Sequence, residues 1–248
     1  MKADDVKKLQ QKKYRNEFRH FLVEGEHLIL ELQKAAAGQP HLVQSELFIT
    51  EEYRDWVQQH LTMALRVTVV GQKTMSQLSD TRSPQGIIAA VPFAPTASPP
   101  SAAAERAIYL HQVQDPGNLG TILRTLGWFG GFRCLLSAGS VDPYNPKVVR
   151  ASMGAIFHTP LEQDVDIATL PQRFGSIACL DMQGSPLSDA SLQQHRCFVF
   201  GNEARGIPRE QLAALNAQAY TIRGAGVIES LNLASAVNMC VYELARLS

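Results

Sequence analysis

Three short segments of this 248-residue chain place glycines, amides, a carboxylate and an arginine directly after runs of β-branched and aromatic residues. The first, Gln112 to Gly131, opens with Asp115-Pro116-Gly117-Asn118, which is strong turn chemistry. Its spacing predicts that Asn118 caps the helix that follows and that Arg124, six residues on, faces the same side. The second, Phe198 to Pro208, contains Gly201, Glu203, Arg205 and Gly206, and Pro208 then starts a helix. Glycine lets the backbone approach a ligand closely, so the amides and carbonyls of this loop can bind one directly. The third, Tyr220 to Asn238, carries Gly224-Ala225-Gly226 and then Ser230, Leu231 and Asn232. Ser230 and Asn232 open a C-terminal helix whose Ala234, Ser235 and Ala236 would let another backbone pack closely. Taken singly, each segment also fits an ordinary capped helix or strand-to-helix loop.

The elements that must position these residues alternate. Candidate strands lie at 107–112, 132–137, 155–159, 176–181, 196–200 and 219–222, with helical stretches at about 118–130, 145–153, 166–174, 208–215 and 231–247. Short apolar strands separated by helices predict a parallel sheet covered on both faces, with ligands beyond the carboxyl ends of its strands. Before this region, the Pro-, Ala- and Ser-rich stretch 93–105 reads as a semi-rigid linker. Residues 1–92 then form a smaller α/β domain. It begins with a basic helix at about 3–19 and a helix from near Glu24, followed by a strand within 42–50, a helix at 51–60, a strand at 65–70, a short helix at 73–79 and a strand at 86–91. The domains are therefore 1–92 and 106–248.

Composition narrows the function. The chain is 45% hydrophobic and 19% charged, enough apolar content for a real core. It has no apolar run of membrane-span length and no signal-peptide core, so a cytoplasmic protein is expected. Cys134, Cys179, Cys197 and Cys240 form no CxxC pair and sit in apolar stretches, as buried free thiols do. The seven histidines include no pair at ligand-helix spacing, so no metal is expected. The 23 basic and 23 acidic residues cancel, but residues 1–20 carry seven basic side chains against three acidic ones, an arm suited to a polyanion. From residue 106 onward ten cations are arginine and one is Lys147, and arginine's planar fork suits phosphate.

In this order and spacing, NLGTILRTLGWFG, FVFGNEARGI and IRGAGVIESLNLASAVNMCVYE resemble the three motifs of the SpoU/TrmH family of trefoil-knotted (SPOUT) RNA ribose 2′-O-methyltransferases. KYRNEFRHFLVEGEHLILEL is similar to the start of the small RNA substrate-binding domain, itself like a ribosomal-protein fold, that some members carry. The resemblance implies a parallel α/β domain with a deep trefoil knot and transfer of a methyl group from S-adenosylmethionine to a ribose 2′-hydroxyl. It also implies a homodimer through the catalytic domain, whose two chains can complete one site. It places backbone cofactor contacts at Gly201, Ile222 and Leu231, and functional side chains at Asn118, Arg124, Glu203, Ser230 and Asn232. Asn118 and Glu203 would orient Arg124, and Ser230 and Asn232 would position ribose, phosphate or the methionine end of the cofactor. Deprotonating a guanidinium at neutral pH costs roughly 7–9 kcal/mol, and a nearby carboxylate raises that cost. Arg124 is therefore expected to clamp phosphate and stabilise developing charge on the oxygen rather than abstract a proton.

The third segment departs from the family: Arg223-Gly224 follows Ile222 where Pro-Met is usual, and an arginine there can bind RNA phosphate. Ribosomal RNA is the expected substrate because of the extra N-terminal domain. The alternatives are a transfer-RNA ribose methyltransferase and a methylation-silent RNA-binding or ribosome-assembly protein on the same fold. A nicotinamide oxidoreductase is disfavoured, because Gly224-Ala225-Gly226 lacks the third glycine and follows the last strand, not the first.

Overall fold

The computed structural model describes residues 1–94, 106–203, 205–227 and 230–246, so the linker lies outside the described residues from position 95 onward. In chain order the first elements are α1 (Ala3–Lys8), α2 (Lys12–Phe18), β1 (His20–Glu24), α3 (Glu26–Ala36), β2 (Glu46–Ile49), α4 (Arg54–His60), β3 (Arg66–Val69), α5 (Gln72–Leu78) and β4 (Ile87–Pro92). Then come β5 (Arg106–Leu110), α6 (Pro116–Phe129), β6 (Phe132–Leu136), α7 (Pro146–Ala151), β7 (Leu161–Glu162) and α8 (Leu170–Phe174). The last are β8 (Ile177–Pro186), β9 (Cys197–Phe200), α9 (Arg209–Ala214), β10 (Gln218–Thr221) and α10 (Leu233–Ala245). They form two units, Met1–Ser98 with Asp142–His158, and Pro99–Val141 with Thr159–Ser248. No helix among the described residues is long and apolar enough to cross a membrane.

The first unit is built on a four-stranded sheet, β1-β4-β2-β3, in which only the β2/β3 pair is parallel. Alternation divides its strands between two faces. Phe21, Val23, Ile87, Ala89 and Val91 pack with α3, while Leu22, Ile88 and Ala90 pack with Val6, Leu9, Met75 and Leu78. Two expectations fail here. The stretch 3–19 is not one helix: it breaks at Leu9–Gln11, where the Arg15 guanidinium takes the Leu9 and Gln10 carbonyls at 2.8 Å each. Residues 20–24, between the two expected helices, form the unexpected strand β1, and the helix expected from near Glu24 is α3, which starts after Gly25 at φ +100°. Arg15 is buried and its Nε donates to Asp142 at 2.9 Å, which removes one cation from the expected polyanion-binding arm.

Residues 142–158, assigned by sequence to the second domain, belong to the core of the first unit. Val149 and Phe157 are buried in it, with Tyr144 and Ile156 packed alongside. The candidate strand at 155–159 is instead a 3-10 turn, Ala155–Phe157, entered through Gly154 at φ +92°. A short apolar run does not by periodicity alone distinguish a strand from a buried turn.

The second unit is a six-stranded, wholly parallel sheet of order β10-β8-β9-β5-β6-β7. Tyr109, Leu135, Cys179 and Val199 face one covering layer that includes Leu170 and Phe174 of α8. Elsewhere α6 and α10 pack together through helical stripes of buried apolar residues, Leu119, Ile122 and Leu126 on one helix and Val237, Val241 and Leu244 on the other. The central strands β5, β6 and β9 are nearly continuous buried runs, as strands covered on both faces require.

Candidate active site

Asp115, not Asn118, caps α6: its Oδ1 accepts the Asn118 backbone N–H at 2.7 Å, with Pro116 in the first turn. The Asn118 side chain is therefore left free of the cap. Its Nδ2 donates to Glu203 Oε1 at 2.9 Å, and its Oδ1 accepts from Asn232 Nδ2 at 2.8 Å. The Asn232 Oδ1 in turn caps α10 by accepting the Ser235 N–H at 3.2 Å. One amide thus joins residues of all three sequence segments, and each partner's chemistry fixes its orientation. Glu203 can only accept when ionised, so Asn118 must present its NH2 there and its carbonyl to Asn232.

Gly201 and Glu203 lie on the loop after β9. A Cβ at position 201 would lie 2.7 Å from the Gly206 carbonyl carbon and 2.8 Å from its Cα. The loop closes on itself through Asn202 N to Gly206 O at 3.1 Å and Gly206 N to Asn202 O at 2.8 Å, with Gly206 at φ +62°. Glycine at 201 is therefore required first by the loop's own backbone. Asn202, which the sequence reading passed over, is buried. Its Nδ2 donates to the Gln112 carbonyl at 2.7 Å and its Oδ1 accepts from Arg205 N at 3.1 Å, fastening this loop to the one after β5. The available signal was an amide between a strand-ending glycine and an acid, a position where Asn bonds its own backbone.

Gly201, Ile222 and Leu231, the three expected cofactor contacts, line one cleft of about 300 Å³ with Glu203, Ser230 and Phe200. It lies beyond the carboxyl ends of β9 and β10, where parallel sheets bind ligands. Its further wall, Leu180 to Met182, comes from a bulge the sequence did not show. β8 pairs with β10 as Cys179 against Ala219 and then Ser185 against Tyr220, so residues 180–184 leave the ladder. Gly184 makes the bulge possible, since a Cβ there would meet the Ala219 carbonyl oxygen at 2.4 Å.

Arg124 is exposed on α6 and has no hydrogen-bond or ion-pair partner among the described residues. Six helical residues turn the chain about 1.7 times, leaving roughly 120° between Arg124 and Asn118. Glu203 therefore contacts Asn118 and not Arg124. Next to Arg124, Thr125 Oγ1 donates to Asn238 Oδ1 at 2.6 Å and ties α6 to α10. All four cysteines are buried, and burial pushes the thiols of Cys134, Cys197 and Cys240 up to about 12 and that of Cys179 to about 11, so none is a nucleophile at neutral pH.

Residues 105–242 match the SpoU rRNA methylase family, and residues 2–89 match the MRM3-like substrate binding domain. The chain is 30% identical, over 98% of its length and 95% of the relative's, to the 23S rRNA (guanosine(2553)-2′-O)-methyltransferase RlmP of Bacillus subtilis (strain 168). A TrmH-family structure from Porphyromonas gingivalis superposes with a TM-score of 0.83 at 30% identity, covering 99% of this chain and 97% of that one. An AdoMet-bound rRNA methyltransferase from Sinorhizobium meliloti gives 0.79 at 26% identity, covering 99% and 94%. Two motifs lining one cleft and a third tied to them through Asn118, a match to a substrate-binding domain before them and full-length likeness to such enzymes have one meaning: this chain belongs to the SpoU rRNA methylase family.

Proposed function

We propose that this chain is a cytoplasmic enzyme that transfers a methyl group from S-adenosylmethionine to a ribose 2′-hydroxyl of ribosomal RNA. The observation that carries the reading is the Glu203–Asn118–Asn232 chain of hydrogen bonds beside the cleft lined by Gly201, Ile222 and Leu231. The cleft fits the cofactor: its volume of about 300 Å³ is at the lower end for small-molecule sites, roughly 300–1,000 Å³. Its walls combine apolar side chains with backbone brought near by Gly201 and Gly206. When bound, the sulfonium supplies an electrophilic methyl carbon. The protein's task is then alignment and charge: Asn118, fixed at both ends, and Ser230 position the acceptor ribose, and alignment alone supplies much of the acceleration. Arg124 clamps phosphate and stabilises negative charge developing on the 2′-oxygen. Arg124→Ala is expected to leave cofactor affinity unchanged and to lower transfer by roughly 100-fold; equal loss of both would make Arg124 a residue that shapes the pocket.

RNA is gripped in addition by the first unit. Lys8 and Lys13 sit over the Tyr14 ring at 5.9 and 5.5 Å, making a basic and aromatic face on α1 and α2. The active form is a homodimer. Trp128 is 84% exposed and Tyr242 57% exposed, with Phe129 beside Tyr242, an apolar face on α6 and α10 that a second copy would cover. Sedimentation at micromolar concentration that shows only a 27.3 kDa species would refute the dimer. The activity itself is tested by calorimetric titration with S-adenosylmethionine and by mapping tritiated methyl onto unmodified ribosomal and transfer RNA. Alkali-resistant label on one ribosomal RNA is expected; a folded protein that binds no cofactor would instead be a methylation-silent RNA-binding protein.

A further inference from the structure

Next to the cofactor cleft lies a second cavity of about 800 Å³, and Ile222, Ser230 and Leu231 line both. Among the described residues lining the larger one, Arg223 carries the only charge. Its other walls are largely apolar and open to solvent: Val227 is 86% exposed, Met182 71% and Met239 46%. Arg223 is exposed and has no hydrogen-bond or ion-pair partner among the described residues. It is nonetheless held near a fixed point. Two residues before it, Thr221 Oγ1 donates to the Met182 carbonyl at 3.3 Å and the Thr221 carbonyl accepts from Leu187 N at 3.2 Å. Beyond it, a Cβ at Gly224 or Gly226 would meet nothing within 4 Å, so packing does not lock the loop in one shape.

A guanidinium beside a largely apolar wall is suited to a ligand with an anionic group and flat or ring-shaped apolar parts. A nucleotide unit of RNA has that composition, and a guanidinium binds its phosphate through two parallel hydrogen bonds. We infer that the larger cavity receives the acceptor nucleotide and that Arg223 holds a backbone phosphate next to the ribose to be methylated. The inference rests on the methyl-transfer reading above and adds a residue that determines how RNA, not cofactor, is held. The residues shared by the two cavities, Ile222, Ser230 and Leu231, then lie where donor and acceptor meet.

The test compares the full-length wild type with Arg223→Gln and Arg223→Lys. Cofactor affinity is measured by calorimetry, and KM, kcat and the salt dependence of binding are measured on unmodified ribosomal RNA. Arg223→Gln is expected to raise the RNA KM about tenfold and to reduce the slope of log affinity against log salt by about 0.7–0.9, one phosphate contact's worth. Its cofactor affinity should stay within about twofold of wild type, and Arg223→Lys should restore the salt slope, because that slope counts charge. Weakened cofactor binding with an unchanged RNA KM and salt slope would overturn the inference and assign Arg223 to the cofactor's carboxylate. No change in either would overturn it as well. A wild-type protein that binds no cofactor and labels no RNA would overturn the methyl-transfer reading itself, an outcome distinct from both.

Discussion

The loops after β9 and β10 line the same cleft and each carries two glycines, yet they use them differently. In the first loop, Gly201 is pressed against the Gly206 backbone, the chain closes on itself through Asn202 and Gly206, and the buried Asn202 side chain reaches the Gln112 carbonyl. In the second, Gly224 and Gly226 have open space around them. That loop is anchored through its strand, where Tyr220 Oη meets His195 Nε2 at 2.9 Å and Ser191 Oγ at 2.7 Å. The first loop is therefore braced by its own backbone, whereas the glycines of the second have room around them. A glycine-rich sequence does not reveal which, because glycine serves both close approach and backbone freedom.

The contrast can be broken most strongly at Gly201. Gly201→Ala forces a methyl group into the Gly206 backbone and is expected to cost about 3 kcal/mol and most of the cofactor affinity. Thermal unfolding and calorimetry read both losses, and a wild-type-like Gly201→Ala would remove the claim of a packed loop. Next is Asn202→Ala, which removes the side-chain bonds to the Gln112 carbonyl and from the Arg205 N–H and should cost about 2 kcal/mol in urea unfolding.

A smaller effect separates the anchors by pH. Burial pushes the His195 imidazole below its ordinary range, so the folded state favours the neutral ring. Stability from this site is complete above the unfolded value of about 6.5 and is lost as pH falls from there toward the lower folded value. His41 and His111 are shifted the same way by burial, so the informative quantity is the difference between proteins. The urea midpoint should fall less between pH 7.5 and 5 in His195→Asn than in wild type; equal falls would exclude His195 as a contributor. Smallest of all, Gly224→Ala should stay within about 0.5 kcal/mol of wild type, and a larger loss would show that the second loop is packed after all.

Much of the second unit was legible because its strands are apolar runs bounded by turn residues, and five of the six candidate strands fall within a residue or two of β5, β6, β8, β9 and β10 at their starts. The run at 155–159 failed because its apolar side chains answer to a core built mainly from residues 1–94. In the first unit, β1 went unseen because five residues between a helix and a glycine carry little pattern of their own. Arg15 looked like a surface cation until the fold gave it Asp142 and two carbonyls.

The sequence by itself determined the alternating architecture of the second unit and the three segments that supply Asn118, Gly201, Glu203, Ile222, Leu231 and Asn232, since these follow from local periodicity, turn chemistry and motif order. Only the tertiary structure decided that Asp115 takes the cap and frees Asn118, that Glu203 binds Asn118 and not Arg124, and that the bulge at 180–184 walls the cleft. Local patterns record which backbone a residue prefers. Hydrogen bonds between residues 85 and 114 positions apart, such as those joining Asn118 to Glu203 and to Asn232, exist only once the sheet has brought the strand ends together.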